Sequence, residues 1–537
     1  MLPVEQLRER INDAWQEKDM WRSLIDDCFE LALPQRNLYD GAAPGQEKTY
    51  NLCDSTLQQA IFASANRMQA ALTPTAQKWA MLVASPLFPE DYKDQLEAFL
   101  EKIGDIVFNY IHISNFDVAV HEFYLNYLIG TGILFVRKGP DSQPIKVDAI
   151  SPYEVGIEEG HDGKIDSVYR KHKVKARHIL EKWKECHLLP EMKRIISDNP
   201  NEEIELTEAT YPIGKHKWAY DVLWDEQGDS EDARIFHDEM SYNPWIVARY
   251  MKAANETWGR GPVMNVLPDA RQLNEAKRIF FQNASMQVSG PILVDNNDTL
   301  APRTIDIDAG SIIPVDNVES YRKFDVGGDL QVTESLFQLL SDSINKGMMT
   351  DELPPEGGSP RSATEISARL KEMQQNLGAP YGRVMSEFIT PFMQTCLDIL
   401  ADKSIIPGFQ GEKLELGGNF AQLEIVSPLA QQQNIEDLNA ATQWMQLCQS
   451  LGNDAFYLGV KVENFPDYAA EKLGVSRTLV RSQDEQQQFL QNNQDAMQQQ
   501  QQQAIQQSQP QLNPQSDMMQ QSPQDGMSGM SGSNYGS

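Results

Sequence analysis

Apolar residues recur with helical spacing along the first quarter of the chain. A stripe over residues 4–31 predicts one long helix, and Pro34 ends it because proline cannot continue a helical hydrogen-bond ladder. A second helix is expected from about Ser55, which stands at capping-box spacing from Gln58. Two further helices are predicted at 90–112 and 116–129.

The stretch ANRMQAALTPTAQKWAMLV, residues 65–83, changes its pattern partway along. Its first part has the small and apolar residues of a packed helix, and Thr73-Pro74 stops that helix. Trp79, Met81 and Val83 then alternate with other residues, which predicts a strand with these three side chains on one face. The stretch is therefore predicted to be a joint that fixes a helix to a strand.

A β-rich region follows from about Ile133. Asp162-Gly163 separates two strand-like runs, which predicts a hairpin. A short helix is expected at 176–187, and strands recur across 203–250. Because helices, then strands, then helices follow one another without regular alternation, the predicted fold class is α+β.

The pattern changes again from Pro268. The run from Pro268 to Val288 predicts one helix with Pro268 and Asp269 in its first turn, and a second helix is expected from about Gln331 to Met348. The insert between them has three strand-like runs, Ile292–Val294, Ile305–Ile307 and Ile312–Val315. This order predicts a two-helix stalk that carries a small head.

The stretch TDELPPEGGSPR is predicted to be an extended loop, because it is rich in proline, glycine and acidic residues. The helix after it opens at a capping box, Ser362 to Glu365, and is interrupted at Gly378 and Pro380. Pro391 is expected to kink its continuation.

The C-terminal part ends in a polar tail. A strand at Leu423–Val426 and helices to about Leu490 precede it. Between Gln486 and Gln511, 15 of 26 residues are glutamine, so this segment cannot bury enough apolar surface to order itself in isolation.

Net charge narrows the class of function. The 537 residues carry a formal net charge of −31. Proteins that wrap nucleic acids are usually basic because phosphate neutralisation supplies much of the affinity, so we do not expect this chain to bind DNA or RNA tightly over its whole surface. Two interpretations stay open: the charge keeps a crowded assembly soluble, or negative walls let a polyanion pass without binding it.

The sequence shows no membrane-spanning or secretion segment and few cysteines. No run approaches the roughly 18 apolar residues of a membrane helix, and MLPVEQLRER lacks the apolar core of a secretory signal. We therefore expect a soluble protein that starts in a cytoplasm and is not inserted in a membrane. The cysteines are odd in number and far apart, so reduced core thiols are expected at Cys28, Cys53, Cys186, Cys396 and Cys448.

Sequence motifs for catalysis are missing. Neither Gly163-Lys164 nor Gly214-Lys215 is followed by Ser or Thr, so the chain has no P-loop, and it has no G-x-S-x-G or H-E-x-x-H. Asp306, Asp308 and Gly310 lack the other ligands of a calcium loop. We expect neither an enzyme nor a cofactor.

Histidines and one basic cluster are the remaining candidates for binding chemistry. Surface or hydrogen-bonded roles are expected for His112, His121 and His237. The cluster from Arg170 to His178 favours a solvated strand face over a phosphate site, since its charges would alternate between faces.

Six stretches in order resemble the portal, or head-to-tail connector, family of short-tailed bacteriophages (podoviruses). They cover about residues 50–490 and read ANRMQAALTPTAQKWAMLV, SPYEVGIEEGHDGKIDSVYRKHKVKARHILEKW, NPWIVARYMKAANETWGRGPVMNVLPDARQLNEAKR, SATEISARLKEMQQNLGAPYGRVMSEFITPFM, IVSPLAQQQ and FPDYAAEKLGVSRTLVRS. The departures are small: Ser-Ala-Thr at 362–364 replaces Thr-Ala-Thr, an alanine follows Gly378, and Trp258 stands where tyrosine is commoner. The glutamine-rich tail has no clear counterpart.

This resemblance implies an α+β portal fold in a ring, usually of twelve subunits, at one capsid vertex. The implied segments are the wing (1–262 and 363–426), stem helices (263–289 and 328–349), clip (290–327), tunnel loop (350–362), crown (427–490) and tail (491–537). Double-stranded DNA would pass through the channel during packaging and ejection. The implied partners are a separate terminase large subunit, the major capsid protein, a scaffolding protein and a tail adaptor, in a virion assembled in the bacterial cytoplasm.

The resemblance also implies a DNA-facing loop. Its candidate residues are Asp351, Glu352, Pro354, Pro355, Glu356, Gly357, Gly358 and Arg361. The three carboxylates would repel the duplex, and Arg361 would touch a phosphate. A plain surface connection is the alternative interpretation of this loop.

Two other classes of function stay open. Another ring-forming virion component, such as a head–tail adaptor, would lack the vertex position and the contact with terminase. An enzyme would need a closed pocket with convergent polar groups.

Overall fold

The computed structural model describes most of the chain up to Leu473. The described residues are 1–37, 45–75, 77–89, 92–214, 216–288, 292–295, 312–315, 330–350, 378, 380–406, 414–417, 421–426, 428–450, 456, 459–461 and 465–473. The expected strand at Ile305–Ile307, the calcium-like residues, the capping box at Ser362 and the glutamine-rich tail lie outside them.

Helices occupy both ends of the described chain and surround its sheets. They are α1 Val4–Ala32, α2 Thr56–Leu72, α3 Lys93–Ile113, α4 Phe116–Ile129, α5 Ala176–Lys182, α6 Pro190–Asp198, α7 Pro262–Val288, α8 Leu330–Gly347, α9 Thr390–Asp402, α10 Pro428–Ser450 and α11 Phe465–Leu473. A π-helical segment, Val384–Ile389, runs directly into α9.

The strands of the described residues form four separate sheets. They are β1 Ala80–Ala84, β2 Thr131–Lys138, β3 Ile145–Ala149, β4 Val155–Glu159, β5 Ile165–Lys175, β6 Glu203–Gly214, β7 Lys217–Trp224, β8 Arg234–Met240, β9 Trp245–Arg249, β10 Ile292–Asp295, β11 Ile312–Val315 and β12 Ala421–Ile425. Strand order is β4-β5-β6-β7-β8 in the largest sheet and β3-β2-β9 in the next. Antiparallel β1-β12 and parallel β10-β11 complete the set, which confirms the α+β class.

Helix α1 covers one face of the five-stranded sheet. Its stripe Val4, Leu7, Ile11 packs on Tyr169 and Tyr211 of the sheet. On the opposite face, the Trp183 indole after α5 donates to the Tyr220 hydroxyl at 3.3 Å. Alternation of side chains along the strands puts the two contacts on opposite faces, so the sheet lies between α1 and α5.

The main core is rich in aromatic rings. Phe116 of α4 stacks on Phe392 of α9 with centroids 4.6 Å apart, and Phe123 lies 4.4 Å from Phe388 of the π-helical segment. Burying these large rings supplies much of the hydrophobic stabilisation that holds α4 and the α9 helix together.

Several predicted elements are confirmed. The hairpin across Asp162-Gly163 is β4–β5, and Gly163 adopts φ +79°, a conformation that glycine reaches without strain. Helices α3 and α4 match their predicted spans closely, and strands fill 203–250 as expected.

Of two predictions about helix starts, one is confirmed in position and the other is wrong. Helix α2 begins at Thr56 with Ser55 as its N-cap residue, as expected, but the Ser55 side chain makes no capping hydrogen bond, and the Asp54 carboxylate accepts the Thr56 backbone N–H at 3.0 Å. Helix α7 begins at Pro262, so Pro268 lies inside the helix rather than in its first turn.

The expected helix at 176–187 ends at Lys182, and α6 is a further helix that the pattern did not indicate. At Pro391, where a kink was expected, the residues just before the proline are π-helical. Proline cannot donate to the Glu387 carbonyl, and the i→i+5 pattern accommodates that missing bond.

Candidate functional site

The predicted joint between α2 and β1 is fixed from both sides. The Thr73 hydroxyl at the end of α2 lies 3.1 Å from the Tyr124 hydroxyl, and the fully buried Trp79 indole meets Phe108 edge-on at 5.0 Å. The Val426 N–H donates to the Trp79 carbonyl at 3.0 Å, which extends the β1–β12 pairing. The joint is therefore locked between α3, α4 and a strand more than 300 residues further along the chain.

One detail of the joint differs from the prediction. Trp79 precedes β1, and the buried residues of the strand are Ala80, Leu82 and Ala84. Met81 and Val83 are half-buried on the other face. The pairing with β12 puts the small residues inward, where α3 packs closely on the strand.

The Gly-Arg-Gly-Pro stretch at 259–262 lets two backbone segments touch. A Cβ on Gly259 would overlap the Gly130 carbonyl oxygen, and a Cβ on Gly261 would overlap the Leu128 carbonyl oxygen. The Gly259 N–H donates to the Thr131 hydroxyl at 3.0 Å. This contact seats the start of α7 against the α4–β2 turn, because only glycine permits such a close approach.

Helices α7 and α8 pack side by side. The Ser343 hydroxyl donates to Asp269 at 2.6 Å, and Phe280 meets Phe337 edge-on at 5.6 Å. A Cβ on Gly347 would overlap the Val266 side chain. The pair is thus in close contact along its described length.

Polar contacts attach α7 to the segment before α2. The Asn274 side-chain oxygen accepts the backbone N–H groups of Cys53 and Asp54, at 2.7 and 3.2 Å. Lys277 forms an ion pair with Asp54, and Arg271 pairs with Asp27 of α1. These contacts hold the first half of α7 on the body of the protein.

Beyond this attachment the helix pair carries exposed apolar side chains. Ile279 and Phe281 are 46% and 57% exposed, and Leu336 and Leu339 are 45% and 65% exposed. Residues two apart on a helix point about 200° from each other, so Ile279 and Phe281 lie on nearly opposite sides of α7. Contiguous exposed apolar patches mark contacts with other molecules, and these four side chains are candidates for such contacts.

The last turn of α8 is held by α2. The Arg67 guanidinium donates to the carbonyls of Met349 and Thr350, at 2.7 and 3.3 Å, and Ser64 donates to Met348. Met349 has φ +57°, a left-handed conformation that ends the helix. The chain is therefore fixed where it enters the stretch from residue 351.

A buried ion network holds the helix that follows this stretch. Arg249 of β9 is fully buried, and its guanidinium donates to Glu387 at 2.8 Å and to the Gly163 carbonyl at 2.8 Å. It also reaches Glu159, which pairs with Lys252. Burial opposes ionisation of Glu159, but Lys252 and Arg249 hold the pKa of this carboxyl below its ordinary value. The network ties the π-helical segment to the β4–β5 hairpin.

Sequence reasoning missed this network and the Arg67 contact. Arg249 lies in one of the six stretches that resemble the family, but no local signal shows that it pairs with a carboxylate 138 residues away. The candidate loop residues, Asp351, Glu352, Pro354, Pro355, Glu356, Gly357, Gly358 and Arg361, all lie outside the described residues.

The basic cluster of β5 is paired within the subunit. Arg170 contacts Glu154 at 2.7 Å, and His172 and Lys182 both contact the fully buried Glu208. Burial lowers the pKa of His172 to about 4, since the cost of burying its charge exceeds the attraction of Glu208. A solvated strand face was expected here, but on this side of β5 Arg170 and His172 are half-buried against carboxylates of the same subunit.

The remaining candidates from the sequence are one histidine and the cysteines. His237 Nδ1 lies 2.6 Å from Asp221, so its expected hydrogen-bonded role is confirmed. All five cysteines are free thiols, but only Cys28 and Cys396 are buried in the core. Within the described ranges, no group of three or more His, Cys, Asp or Glu could hold a metal ion, and no helix is long and apolar enough to cross a membrane.

The fold and these contacts define an α+β protein with a helix pair anchored on its body. The family model of bacteriophage head to tail connecting proteins matches residues 4–480, so the chain belongs to this family and is a portal protein, a structural component of the virion.

Other comparisons add little. No significant match was found among curated proteins. A solved chain titled "Virion of native gene transfer agent (GTA) particle" matches with a TM-score of 0.35 and 11% identity, over 84% of this chain and 99% of that one. A likeness at this level is too distant to support a statement about function.

Proposed function

We propose that copies of this chain form a closed ring, of about a dozen subunits, at one capsid vertex. Family membership supports the head-to-tail position. The observation that carries the ring is the apolar surface on opposite sides of the helix pair. A subunit in a ring uses two different surfaces, one for each neighbour, and the α7–α8 pair has apolar side chains to supply both.

In this proposal the ring is a conduit for double-stranded DNA, which enters during packaging and leaves at ejection. The −31 net charge suits a conduit, because a negative wall does not hold a polyanion. The DNA motor is then a separate terminase, and the other partners are the major capsid protein, a scaffolding protein and a tail adaptor.

The segments take the following proposed roles. Helices α7 and α8 belong to the stem, 263–289 and 328–349, and the β10–β11 pair lies in the clip, 290–327. Residues 1–262 and 363–426 form the wing, and 427–490 the crown. The packing of α7 on α8 and their attachment to α1 and α2 support a stem that projects from the wing.

The tunnel loop, 350–362, is proposed to face the DNA. The anchoring of Met349 and Thr350 by Arg67 supports this role, because a loop that meets passing DNA needs fixed ends. Further along the chain, the Tyr127 hydroxyl donates to the Pro380 carbonyl at 3.4 Å.

The apolar stem surface gives a direct test of the ring. Replacing Phe281 and Leu339 with glutamate puts two charges on this surface and should abolish rings, because burying an unpaired carboxylate is costly. Gln282→Glu with Gln338→Glu is the matched control, since both glutamines are exposed neighbours. Negative-stain microscopy should show rings for the control only, with unchanged circular dichroism for both. Rings in the F281E/L339E variant would contradict the stem contact.

A further inference from the structure

The outer half of the α7–α8 pair, residues 279–288 and 330–341, is almost free of charged residues. It holds one, Glu334, whereas 23% of the whole chain is charged. A helix face that meets water normally carries charged side chains. Depletion of charge together with enrichment of aromatic residues is typical of the buried centre of a protein interface. This half of the pair therefore has the composition of a surface that another protein covers.

The two helices are antiparallel, and the residues that face each other define two sides of the pair. Gly347 lies against Val266, and Phe337 meets Phe280, so the contacts run in opposite chain directions along the two helices. Leu340 is buried on the same stripe of α8 as Phe337. In an antiparallel pair, the residues just before facing residues lie on one side of both helices, about 100° from the contact, and the residues just after them lie on the other side.

The exposed apolar residues of the pair divide between these two sides. Ile279 directly precedes Phe280 on α7, and Leu336 and Leu339 each directly precede a facing residue of α8. These three exposed side chains therefore share one side, which we call the aliphatic side. Phe281 directly follows Phe280, so its exposed ring lies on the opposite side, which we call the aromatic side.

The aromatic side continues onto the segment before α2. Asn274 lies on the same side as Phe281, two turns earlier in α7, and its side chain donates to the Asn51 carbonyl at 3.4 Å. Tyr50, the neighbour of Asn51, is 75% exposed. The subunit therefore presents two unlike apolar surfaces, aliphatic side chains on one side of the pair and aromatic rings on the other.

We propose that the aromatic side of one subunit packs on the aliphatic side of the next copy, with Phe281 against the neighbour's Leu336 and Leu339. The inference rests on the ring proposed above and identifies which sides of the helix pair meet. A second copy fits because it brings the same charge-poor stretch of an otherwise acidic chain. Contact between like sides would close a dimer and leave the other side uncovered, whereas contact between unlike sides covers both and continues around a ring.

Paired cysteines test which sides meet. The three half-buried natural cysteines are first replaced by serine: Cys53, Cys186 and Cys448. Phe281→Cys with Leu339→Cys then places one thiol on each side of the pair. A short bismaleimide should join neighbouring copies of this variant into a ladder of covalent oligomers on a denaturing gel. Either substitution alone should give no ladder, because its thiols do not meet.

Phe281→Cys with Gln338→Cys is the matched control. Gln338 is exposed and directly follows Phe337, so both thiols lie on the aromatic side. Any bond between them stays within one subunit, and the gel should show monomers.

A charge pair gives an independent readout of the same contact. Phe281→Lys and Leu339→Glu should each raise the concentration needed for half-maximal ring assembly by about tenfold or more, because each places an unpaired charge in an apolar contact. The double variant brings opposite charges together and should recover most of that loss. Phe281→Lys with Gln338→Glu should show no recovery, because both charges lie on one side. Circular dichroism shows that each variant folds.

Three results would overturn the proposal in distinguishable ways. Rings that give neither a ladder with F281C/L339C nor recovery with F281K/L339E would show that these sides do not meet, while the ring itself stands. A covalent dimer from L339C alone would show a two-fold contact between aliphatic sides. A wild-type chain that never forms rings would contradict the proposed function and this contact with it.

Discussion

At the scale of single residues, close packing explains why glycine occupies two positions of the Gly-Arg-Gly-Pro stretch. The two glycines of the Gly-Arg-Gly-Pro stretch stood out in the sequence only through a family resemblance. The structure gives their physical reason: each lies against a carbonyl oxygen of the α4–β2 turn. No local pattern could have shown this, because the contact joins segments about 130 residues apart in the chain.

Gly259→Ala tests this contact. The added methyl group should overlap the Gly130 carbonyl and destabilise the fold by about 3 kcal/mol, as overpacking does. The measurement is the midpoint of urea unfolding.

Gly104→Ala is the control for this substitution. Gly104 lies within α3 with open space around its Cα, so alanine there should stabilise the helix by about 1 kcal/mol. Equal midpoints for the two variants would contradict the close approach.

Lys18 makes stability depend on pH. It is 4% exposed, stacks on Trp15 and donates to the Tyr153 carbonyl at 2.6 Å. Burial lowers the pKa of Lys18 to about 7, with smaller opposing effects from Asp19 and Glu154. Between pH 7 and the unfolded pKa of 10.5, the unfolded chain holds a proton that the folded chain does not.

The free energy of unfolding therefore rises with pH across that window, by at most about 1.4 kcal/mol per pH unit. It falls again as pH is lowered towards 7. Melting temperatures of Lys18→Met between pH 7.5 and 9 should lack this rise. Lys102→Met, an exposed control, should keep it. An unchanged slope in K18M would show that Lys18 stays protonated.

At the scale of elements, sequence periodicity predicts helices and hairpins, which depend on neighbouring residues. It does not predict features that depend on contacts with residues far away in the chain. The long apolar stripes predicted α1, α3 and α4 closely, and turn chemistry predicted the β4–β5 hairpin. The pairing of β1 with β12 could not be predicted, since each strand is five residues long and its partner is far away in the chain. Helix α7 started earlier than expected because packing of the glycine turn outweighs the local preference of Pro268 for a first turn.

The Arg249–Glu387 pair gives an element-scale prediction. Arg249→Met leaves Glu387 buried with Arg383, at 2.9 Å, as its one remaining charged partner among the described residues, and should destabilise the fold by about 3–5 kcal/mol. The double variant R249M/E387M removes both charges and should recover part of that loss. Chemical unfolding measures the free energy of unfolding of the wild type and of each variant.

Lys173→Met is a control, because its pair with Glu205 is exposed at the end of the sheet. Its effect should stay within about 1 kcal/mol. A double variant no more stable than R249M would show that the network acts through packing rather than through charge.

At the scale of the whole molecule, the candidate site was predicted only in outline. A stalk of two helices was predicted from the order of elements, and α7 and α8 pack as a pair. Their exposed apolar surface could not be predicted, because it depends on which side of a folded helix faces inward.

Deleting Gly357 and Gly358 tests the proposed tunnel loop in assembled particles. The deletion shortens the loop without touching its anchor at Arg67, so rings should form normally while packaged DNA is retained poorly. The readout is the DNA content of purified particles. Normal retention would contradict a DNA-facing role for this loop.

The central claim is that this chain closes into a ring, and negative-stain electron microscopy with native mass of the purified protein tests it most directly. We predict particles of about a dozen subunits with a central hole wide enough for duplex DNA. A stable monomer or dimer, under conditions that permit assembly, would contradict the account.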